Sequence, residues 1–327
     1  MKTLAILLAT TAMVAVTGSA DAASVDLRFA YASNATPTKE AMAKFGELLQ
    51  EKTNGEVTVT YFPDSQLGGE RELVEMVQSG LLDMTKVSGG LMESFSPVYG
   101  VFSMPYLFSS QDQFYQVMDD PDIMGPIYES TKDNGMVGLS YYDSGQRSFY
   151  TVAKPVMHVE DLKGLKIRVM QSPTSIETMK VLGASPVAMS QDEVYTSLQQ
   201  GILDGAENNE FALTIARHAE VAKNYSYDMH TRIPDILLIG TAALDKLSDE
   251  QKQAVYEAAK ESTEYQKKLW IEAVEAEKKK AEDEFGVSFS YPDVAEFQKA
   301  VQPMYEDLKA KPEQYEVYQK IQALAGE

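Results

Sequence analysis

The chain contains no cysteine among its 327 residues and only three histidines, at His158, His218 and His230. Without cysteine it cannot form a disulfide scaffold, a thiolate metal site or a cysteine nucleophile. The three histidines do not have the spacing of a metal-binding motif. We therefore predict neither a metal site nor a cofactor from these residue types.

Basic residues are outnumbered by acidic ones. Lys and Arg total 29 against 49 Asp and Glu, which gives a formal net charge of −20 and an isoelectric point near 4.6. A surface of this sign repels phosphate backbones at long range. We therefore exclude a nucleic-acid partner.

Long apolar runs are missing except at the N-terminus. Lys2 precedes an apolar stretch that reaches Val16, and the small residues Ala20 and Ala22 occupy positions −3 and −1 of a cleavage site. A membrane anchor is the alternative, but the stretch is shorter than the roughly 20 residues of a spanning helix. A lipidated N-terminus would need a cysteine. We predict that residues 1–22 are a signal peptide cleaved after about Ala22 and that the protein is exported to the periplasm.

Strand and helix patterns alternate along the rest of the chain, which predicts an α/β fold. Alternation of apolar and polar residues at period two predicts a strand over 25–30, and β-branched and aromatic residues predict another over 57–62. Near the C-terminus, Ser248 and Gln251 form a capping-box pattern, and neither glycine nor proline follows until after Phe285. A helix of this length is longer than one small domain needs, so we expect it to lie along two lobes.

Common catalytic motifs are also missing from the sequence. It has no Walker A loop, no GxGxxG after a strand, no HExxH, no GxSxG and no EF-hand loop. Carboxylates are numerous, but an acidic chain brings pairs of them together by chance. We therefore predict no catalytic residues and a protein that is not an enzyme.

The most informative stretch covers residues 143–209. Its ordered motifs are GQRSFY (145–150), DLKGLKIRV (161–169), LGASP (182–186), DEVYTSLQQG (192–201) and LDGAENN (203–209). Two earlier segments belong with them, PDSQLGG (63–69) and PYLF (105–108). Together these motifs strongly resemble the extracytoplasmic solute-binding proteins of TRAP transporters, the DctP-like family, over essentially the whole chain after the signal peptide.

The resemblance implies a two-lobe periplasmic-binding-protein clamp, with crossing strands at the hinge and the long C-terminal helix spanning both lobes. We predict that lobe I comprises residues 23–145 plus about 234–270, and lobe II residues 146–233 plus about 271–327. Such a clamp closes on an organic acid and delivers it to the membrane permease subunits of a sodium-driven TRAP transporter. It performs no chemistry and needs no cofactor. We expect a monomer.

The resemblance also assigns three ligand contacts. The arginine of the KGLKIRV motif, which clamps the ligand carboxylate in this family, is Arg168 here. A second family arginine corresponds to Arg147, and the asparagine of the D-G-x-E-N element is Asn208. The chemistry is consistent, because a guanidinium offers paired N–H donors that match both oxygens of a carboxylate.

Further candidates for ligand contact come from their positions beside these motifs: Glu207, Gln171, Gln191, Glu70 and Asp235. Glu207, Gln171 and Gln191 have helix capping or a turn as the alternative role. Glu70 has an alternative role as a partner of a helix dipole. Asp235 lies where we expect the chain to cross between the lobes.

For the ligand we favour a sugar acid, specifically a hexuronate such as glucuronate or galacturonate. The segments 145–150, 207–209 and 230–235 resemble those of sugar-acid members, and a polyhydroxy ring needs several polar partners. A four-carbon dicarboxylate or another carboxylate is the alternative within the family. A dicarboxylate would need a second cation, so the role of Arg147 decides between them. From other classes, a secreted sugar-acid hydrolase or isomerase with a carboxylate pair, or a structural periplasmic protein, stays open.

Overall fold

The computed structural model of the protein describes residues 24–32 and 35–324. The predicted signal peptide and its cleavage position lie outside the described residues. Over the described ranges, no helix is both long and apolar enough to cross a bilayer.

Strands and helices alternate along most of the described chain. The strands are β1 (Val25–Tyr31), β2 (Val57–Phe62), β3 (Met84–Ser88), β4 (Met136–Tyr142), β5 (Gln146–Thr151), β6 (Lys166–Val169), β7 (Ser185–Ala188), β8 (Gly205–Asn208), β9 (Asn224–Arg232), β10 (Asp235–Gly240) and β11 (Ser288–Ser290). The helices are α1 (Thr36–Lys52), α2 (Glu70–Gln78), α3 (Gly89–Met92), α4 (Gln111–Asp119), α5 (Pro121–Glu129), α6 (Pro173–Val181), α7 (Val194–Gln199), α8 (Phe211–Thr214), α9 (Thr241–Leu244), α10 (Asp249–Phe285), α11 (Val294–Leu308) and α12 (Pro312–Leu324). Short 3-10 helices cover Pro97–Ser103, Lys132–Asn134, Val159–Leu162, Gln191–Glu193 and His218–Glu220.

The described strands form two sheets, one in each lobe. In lobe I the order is β2-β1-β3-β10-β4, with β1 parallel to β2 and β3, and β10 antiparallel between β3 and β4. In lobe II the order is β11-β9-β5-β8-β6-β7, with β6 parallel to β7 and β8. The carboxyl ends of these parallel strands meet at a cleft between the lobes, the usual place for ligand sites in α/β proteins.

Two pairs of strands carry the chain from one sheet to the other. β4 leads into β5 through residues 143–145, and β9 leads into β10 through residues 233–234. Gly145 has φ +67°, and a Cβ there would stand 2.9 Å from the Trp270 ring. This position therefore needs glycine both for its left-handed conformation and for close packing against α10.

The long helix α10 lies along both lobes, as the sequence predicted. Ser248 and Gln251 form the capping box at its start, and Gly286 ends it in the left-handed conformation. At about 1.5 Å per residue the helix is roughly 55 Å long. It packs on α1 and β4 of lobe I and on α8 of lobe II. Gln266 binds the first crossing directly, because its amide accepts from the Asp143 N–H and donates to the Asp143 carbonyl.

The C-terminal helices contact both lobes. α11 packs against β9 and α6 of lobe II, whereas α12 packs against α4 and the 3-10 helix Pro97–Ser103 of lobe I. Their apolar residues Phe297, Val301 and Ile321 belong to a core that also contains residues of both sheets. The two-lobe α/β clamp with crossing strands and a spanning helix is thus confirmed, while the residue boundaries of the lobes stay a prediction.

Candidate functional site

The cleft between the lobes has an empty volume of about 920 Å³, measured out to its open mouth. Both sheets contribute to its walls through the carboxyl ends of their parallel strands. Among the eight residues predicted to contact a ligand, those that line the cleft are Arg168, Arg147, Asn208, Gln171, Gln191, Glu70 and Asp235. The structure therefore brings together side chains that lie far apart in the sequence.

Arg168 is a buried cation in the lobe II wall. It lies on β6, and only 3% of its surface is exposed. Its Nε and Nη2 donate to the Met189 carbonyl at 3.0 and 2.8 Å, and its Nη1 donates to Gln191 Oε1 at 3.1 Å. No carboxylate of the described residues forms an ion pair with it. Burial lowers the pKa of Arg168 below its ordinary value, and the guanidinium stays charged because arginine begins so far above neutrality.

Arg147 is equally buried, but a carboxylate of the protein neutralises it. Its Nε lies 2.5 Å from Glu207 Oε2 and its Nη2 lies 3.0 Å from Glu207 Oε1, the two-point geometry of strong arginine–carboxylate pairs. Its Nη1 donates to Asn208 Oδ1 at 2.8 Å. Burial alone would lower the pKa of Arg147, but the Glu207 charge raises it above its ordinary value.

Glu207 itself is placed behind Arg147 and not among the residues that line the cleft. It borders a separate small pocket together with His230 and Thr231. Its carboxylate lies 3.5 Å from His230 Nε2, and His230 Nδ1 lies 2.7 Å from Asp228 Oδ2. Positive and negative groups thus alternate in the interior of lobe II, in the order Arg147, Glu207, His230 and Asp228. These four residues are here called the charged row.

The charges in this row shift one another's pKa values. Burial raises the pKa of Glu207, but Arg147 and His230 outweigh that effect and bring it to about 2. Burial lowers the pKa of His230, but Asp228 and Glu207 raise it to about 9. His230 is therefore a cation at neutral pH, although it is a buried histidine.

The lobe I wall carries two carboxylates and one lysine that contact one another, and Arg71 of α2 also lines the cleft. Lys86 lies on β3, with its Nζ 3.0 Å from Glu70 Oε1 and 3.0 Å from Asp235 Oδ2. Glu70, the first residue of α2, also accepts from the Ser88 N–H at 3.2 Å. Asp235 is the first residue of β10, directly after the second crossing. Glu70 and Asp235 thus face the cleft as hydrogen-bond acceptors.

Direct contacts join the two lobes across the cleft. Arg71 of α2 donates to Gln171 Oε1 at 3.0 Å, and the Ser65 hydroxyl donates to Asp192 Oδ2 at 2.9 Å. The Ser94 hydroxyl donates to the Gln171 carbonyl at 3.0 Å. The described conformation is therefore one in which the lobes touch at the edge of the cleft.

Some residues of this site are not among the eight predicted ligand contacts. Lys86 was not a candidate, although a charged residue inside the wholly buried strand β3 is a usable signal. Trp270 was predicted only as part of the long helix, yet it lines the cleft and packs on Phe211 at a ring distance of 4.8 Å. Arg71, the residue after the candidate Glu70, also lines the cleft, and its partner Gln171 is 100 residues away in sequence, so only the fold shows this contact.

Two α/β lobes, strands that cross between them and a cleft of buried polar groups define a class of protein, the two-lobe solute-binding protein. Residues 29–311 match the model of one family in this class, the bacterial extracellular solute-binding proteins of family 7, DctP. The chain belongs to this family. Its members are transport proteins that bind small acids and work with membrane permease subunits.

Individual relatives agree with this assignment. The chain is 35% identical to the 2,3-diketo-L-gulonate-binding periplasmic protein YiaO of Escherichia coli K12 over 251 residues, 76% of each chain. A TRAP periplasmic solute-binding protein of Anaerococcus prevotii with bound α/β-D-glucuronate superimposes with a TM-score of 0.88 at 41% identity, covering 92% of this chain and 98% of that one. One from Xanthobacter autotrophicus with bound β-D-galacturonate has a TM-score of 0.86 at 38% identity, covering 91% and 99%.

Proposed function

We propose that the protein is exported, loses residues 1–22, and acts as a monomer that captures a hexuronate for a sodium-driven TRAP permease. Glucuronate and galacturonate are the ligands expected. The protein itself leaves the ligand chemically unchanged. Ligand contacts come from Arg168, Gln171, Gln191 and Asn208 in lobe II and from residues of the lobe I wall.

One observation carries the proposal: Arg168 is a buried cation in the cleft without a carboxylate partner among the described residues. Its partners are neutral oxygens, so a ligand carboxylate would supply the missing counter-charge. The matching pair between a guanidinium and a carboxylate is strong when both are removed from water. A site with one such cation suits a ligand with one carboxylate.

The surroundings of Arg147 also favour a ligand with one carboxylate. Because Glu207 neutralises it, Arg147 is not a free cation for the second carboxylate of succinate or malate. Its Nη1 and Asn208 still border the cleft and can bind neutral oxygens. The remaining walls offer amides and carboxylates, which suit the hydroxyl groups of a sugar ring. The glucuronate and galacturonate held by the structural relatives are consistent with this chemistry.

Isothermal titration calorimetry of the secreted form with six compounds tests the proposal. We expect glucuronate and galacturonate to bind, and succinate and malate to bind at least about tenfold more weakly, because buried polar groups left without hydroxyl partners cost about 1–3 kcal/mol each. Glucose and galactose should bind weakly as well, since they leave Arg168 without a counter-charge.

Two results would contradict the proposal. Tighter binding of succinate or malate than of either uronate would indicate a dicarboxylate carrier. Chemical conversion of a uronate during the titration, detected by chromatography of the recovered ligand, would instead indicate a sugar-acid enzyme.

A further inference from the structure

A lysine and two carboxylates form a compact group in the lobe I wall, here called the Lys86 cluster (Glu70, Lys86 and Asp235). The Lys86 side chain is 4% exposed, and its ammonium lies 3.0 Å from an oxygen of each carboxylate. The three residues belong to α2, β3 and β10, and all of them line the cleft. The cluster therefore joins three elements of lobe I in the wall of the cleft.

The Lys86 cluster and Arg168 differ in charge, while Arg71, the other lobe I cation that lines the cleft, lies 3.8 Å from Glu75 and donates to Gln171 of lobe II. When all its members are ionised, the Lys86 cluster has two negative groups and one positive group, so its sum is −1. The lobe II wall presents Arg168, which forms no ion pair with the described residues. An ionised carboxylate only accepts hydrogen bonds, so it binds a hydroxyl donor and repels another carboxylate.

We propose that Lys86 is a positioning residue that holds Glu70 and Asp235 as acceptors for ligand hydroxyls, and that the cluster excludes ligands with a second carboxylate. The proposal rests on the proposed function, because it requires Arg168 to bind the first carboxylate from the opposite wall. The ligand class is then polyhydroxylated monocarboxylates. Aldaric acids, which carry a carboxylate at each end, are excluded.

The geometry explains why a lysine serves here. Its ammonium is compact and has three N–H donors, of which Glu70 and Asp235 each take one. Burial lowers the pKa of Lys86, but the two carboxylates raise it above its ordinary value, so the side chain stays charged. Without the ammonium, Glu70 and Asp235 would lose the donor that both of them share.

Competition between two acyclic acids tests the exclusion. Gluconate and glucarate differ only in whether one chain end is a hydroxymethyl group or a carboxylate, and each is used to displace glucuronate from the protein. We expect glucarate to compete at least about tenfold less well than gluconate, owing to like-charge repulsion at the lobe I wall. Asp235→Asn removes one negative charge and should increase displacement by glucarate several-fold. Equal competition by the two acids would overturn the exclusion. So would displacement by glucarate that does not increase in Asp235→Asn.

Variants of the lysine test the positioning role. Lys86→Met should weaken glucuronate binding at least about tenfold and lower competition by glucarate further, because the wall becomes more negative. Lys86→Arg keeps the charge and should recover most of the affinity. Lys246→Met is the matched control, since Lys246 is 52% exposed and pairs with Asp83, which does not line the cleft.

A Lys86 side chain that only stabilised the fold would give a different result. It would lower the melting temperature of Lys86→Met without changing the preference between gluconate and glucarate, and that result would overturn the proposal. The proposed function fails separately, if wild-type protein binds no uronate or if binding does not depend on Arg168. If uronate binding depends on Arg168 but is unchanged by every substitution in the Lys86 cluster, only the role proposed for that cluster is refuted.

Discussion

Arg147 and Arg168 are both buried arginines in the lobe II sheet, on β5 and β6 with β8 between them, yet their surroundings differ. Arg147 has a two-point ion pair with Glu207, and this pairing outweighs the effect of burial and raises its pKa. Arg168 has only carbonyl and amide acceptors, and burial lowers its pKa. A cation whose counter-charge is supplied by the protein stabilises the fold. A cation whose counter-charge is missing is available to a ligand.

The largest effect is expected from Glu207→Gln, which removes the carboxylate that distinguishes the two arginines. Arg147 and His230 would then be buried cations facing a neutral amide. Removing one partner of a buried ion pair costs about 3–5 kcal/mol, so the free energy of unfolding should fall by that amount. Urea denaturation of the ligand-free protein measures it. A loss below about 1 kcal/mol would mean that Glu207 does not neutralise Arg147 as described.

The next largest effect concerns ligand affinity. Arg168→Met should weaken binding of glucuronate by about 2–5 kcal/mol, roughly 30-fold to several thousand-fold, because the ligand carboxylate loses its buried partner. Ligand-free stability should change much less, since the variant also removes a poorly compensated buried charge. Arg168→Lys should bind weakly too, because an ammonium lacks the paired donors of a guanidinium. Near-wild-type affinity in Arg168→Met would reject the assignment of this residue.

The pH dependence of stability tests the charged row behind Arg147. His230 has a folded pKa of about 9, above its ordinary 6.5, so its contribution is complete below pH 6.5 and is lost as the pH rises through 9. That contribution is on the order of 3 kcal/mol.

The pKa of His218 is shifted in the opposite direction. Burial and Arg168 lower its pKa to about 3, so it contributes a loss of stability as the pH falls from 6.5 toward 3. NMR titration of the His230 and His218 rings should show both shifts. A His230 ring that titrates near 6.5 would contradict the charged row.

The smallest effect is expected from Asn208→Asp, which places a carboxylate between the two arginines. The Asn208 side chain accepts from Arg147 Nη1 at 2.8 Å and lies 3.4 Å from Gln191 Oε1, the acceptor of Arg168. The new charge should lower glucuronate affinity by about tenfold through repulsion of the ligand carboxylate. Asn208→Ser is the control for lost hydrogen bonds without added charge. Equal affinities of the two variants would indicate that charge at this position does not matter.

Local sequence patterns predicted much of the architecture. Strand β2 has the predicted bounds 57–62, and the capping box at Ser248 and the end of α10 at Phe285 were also predicted. These features depend on neighbours within a few residues, so periodicity and capping residues are sufficient to locate them. The motif resemblance added Arg168 and Arg147 as site residues, and both line the cleft.

Partners distant in sequence could not be predicted in the same way. Lys86 and Asp235 are 149 residues apart, and their contact depends on the antiparallel pairing of β3 with β10. Glu207 was expected beside Asn208 in the cleft, but successive residues of a strand point to opposite sides. Consequently, Asn208 lines the cleft while Glu207 lies behind Arg147.

The sequence by itself determined the family, the α/β architecture and the long helix, and it predicted Arg168 as the partner of a ligand carboxylate. It could not determine which of two similar arginines is free, because an arginine's available charge depends on what lies within a few ångströms of it. Tertiary structure decided that point when sheet pairing set Glu207 against Arg147, 60 residues away, and left Arg168 with neutral acceptors. Burial then made the difference large, since charges removed from water are weakly screened.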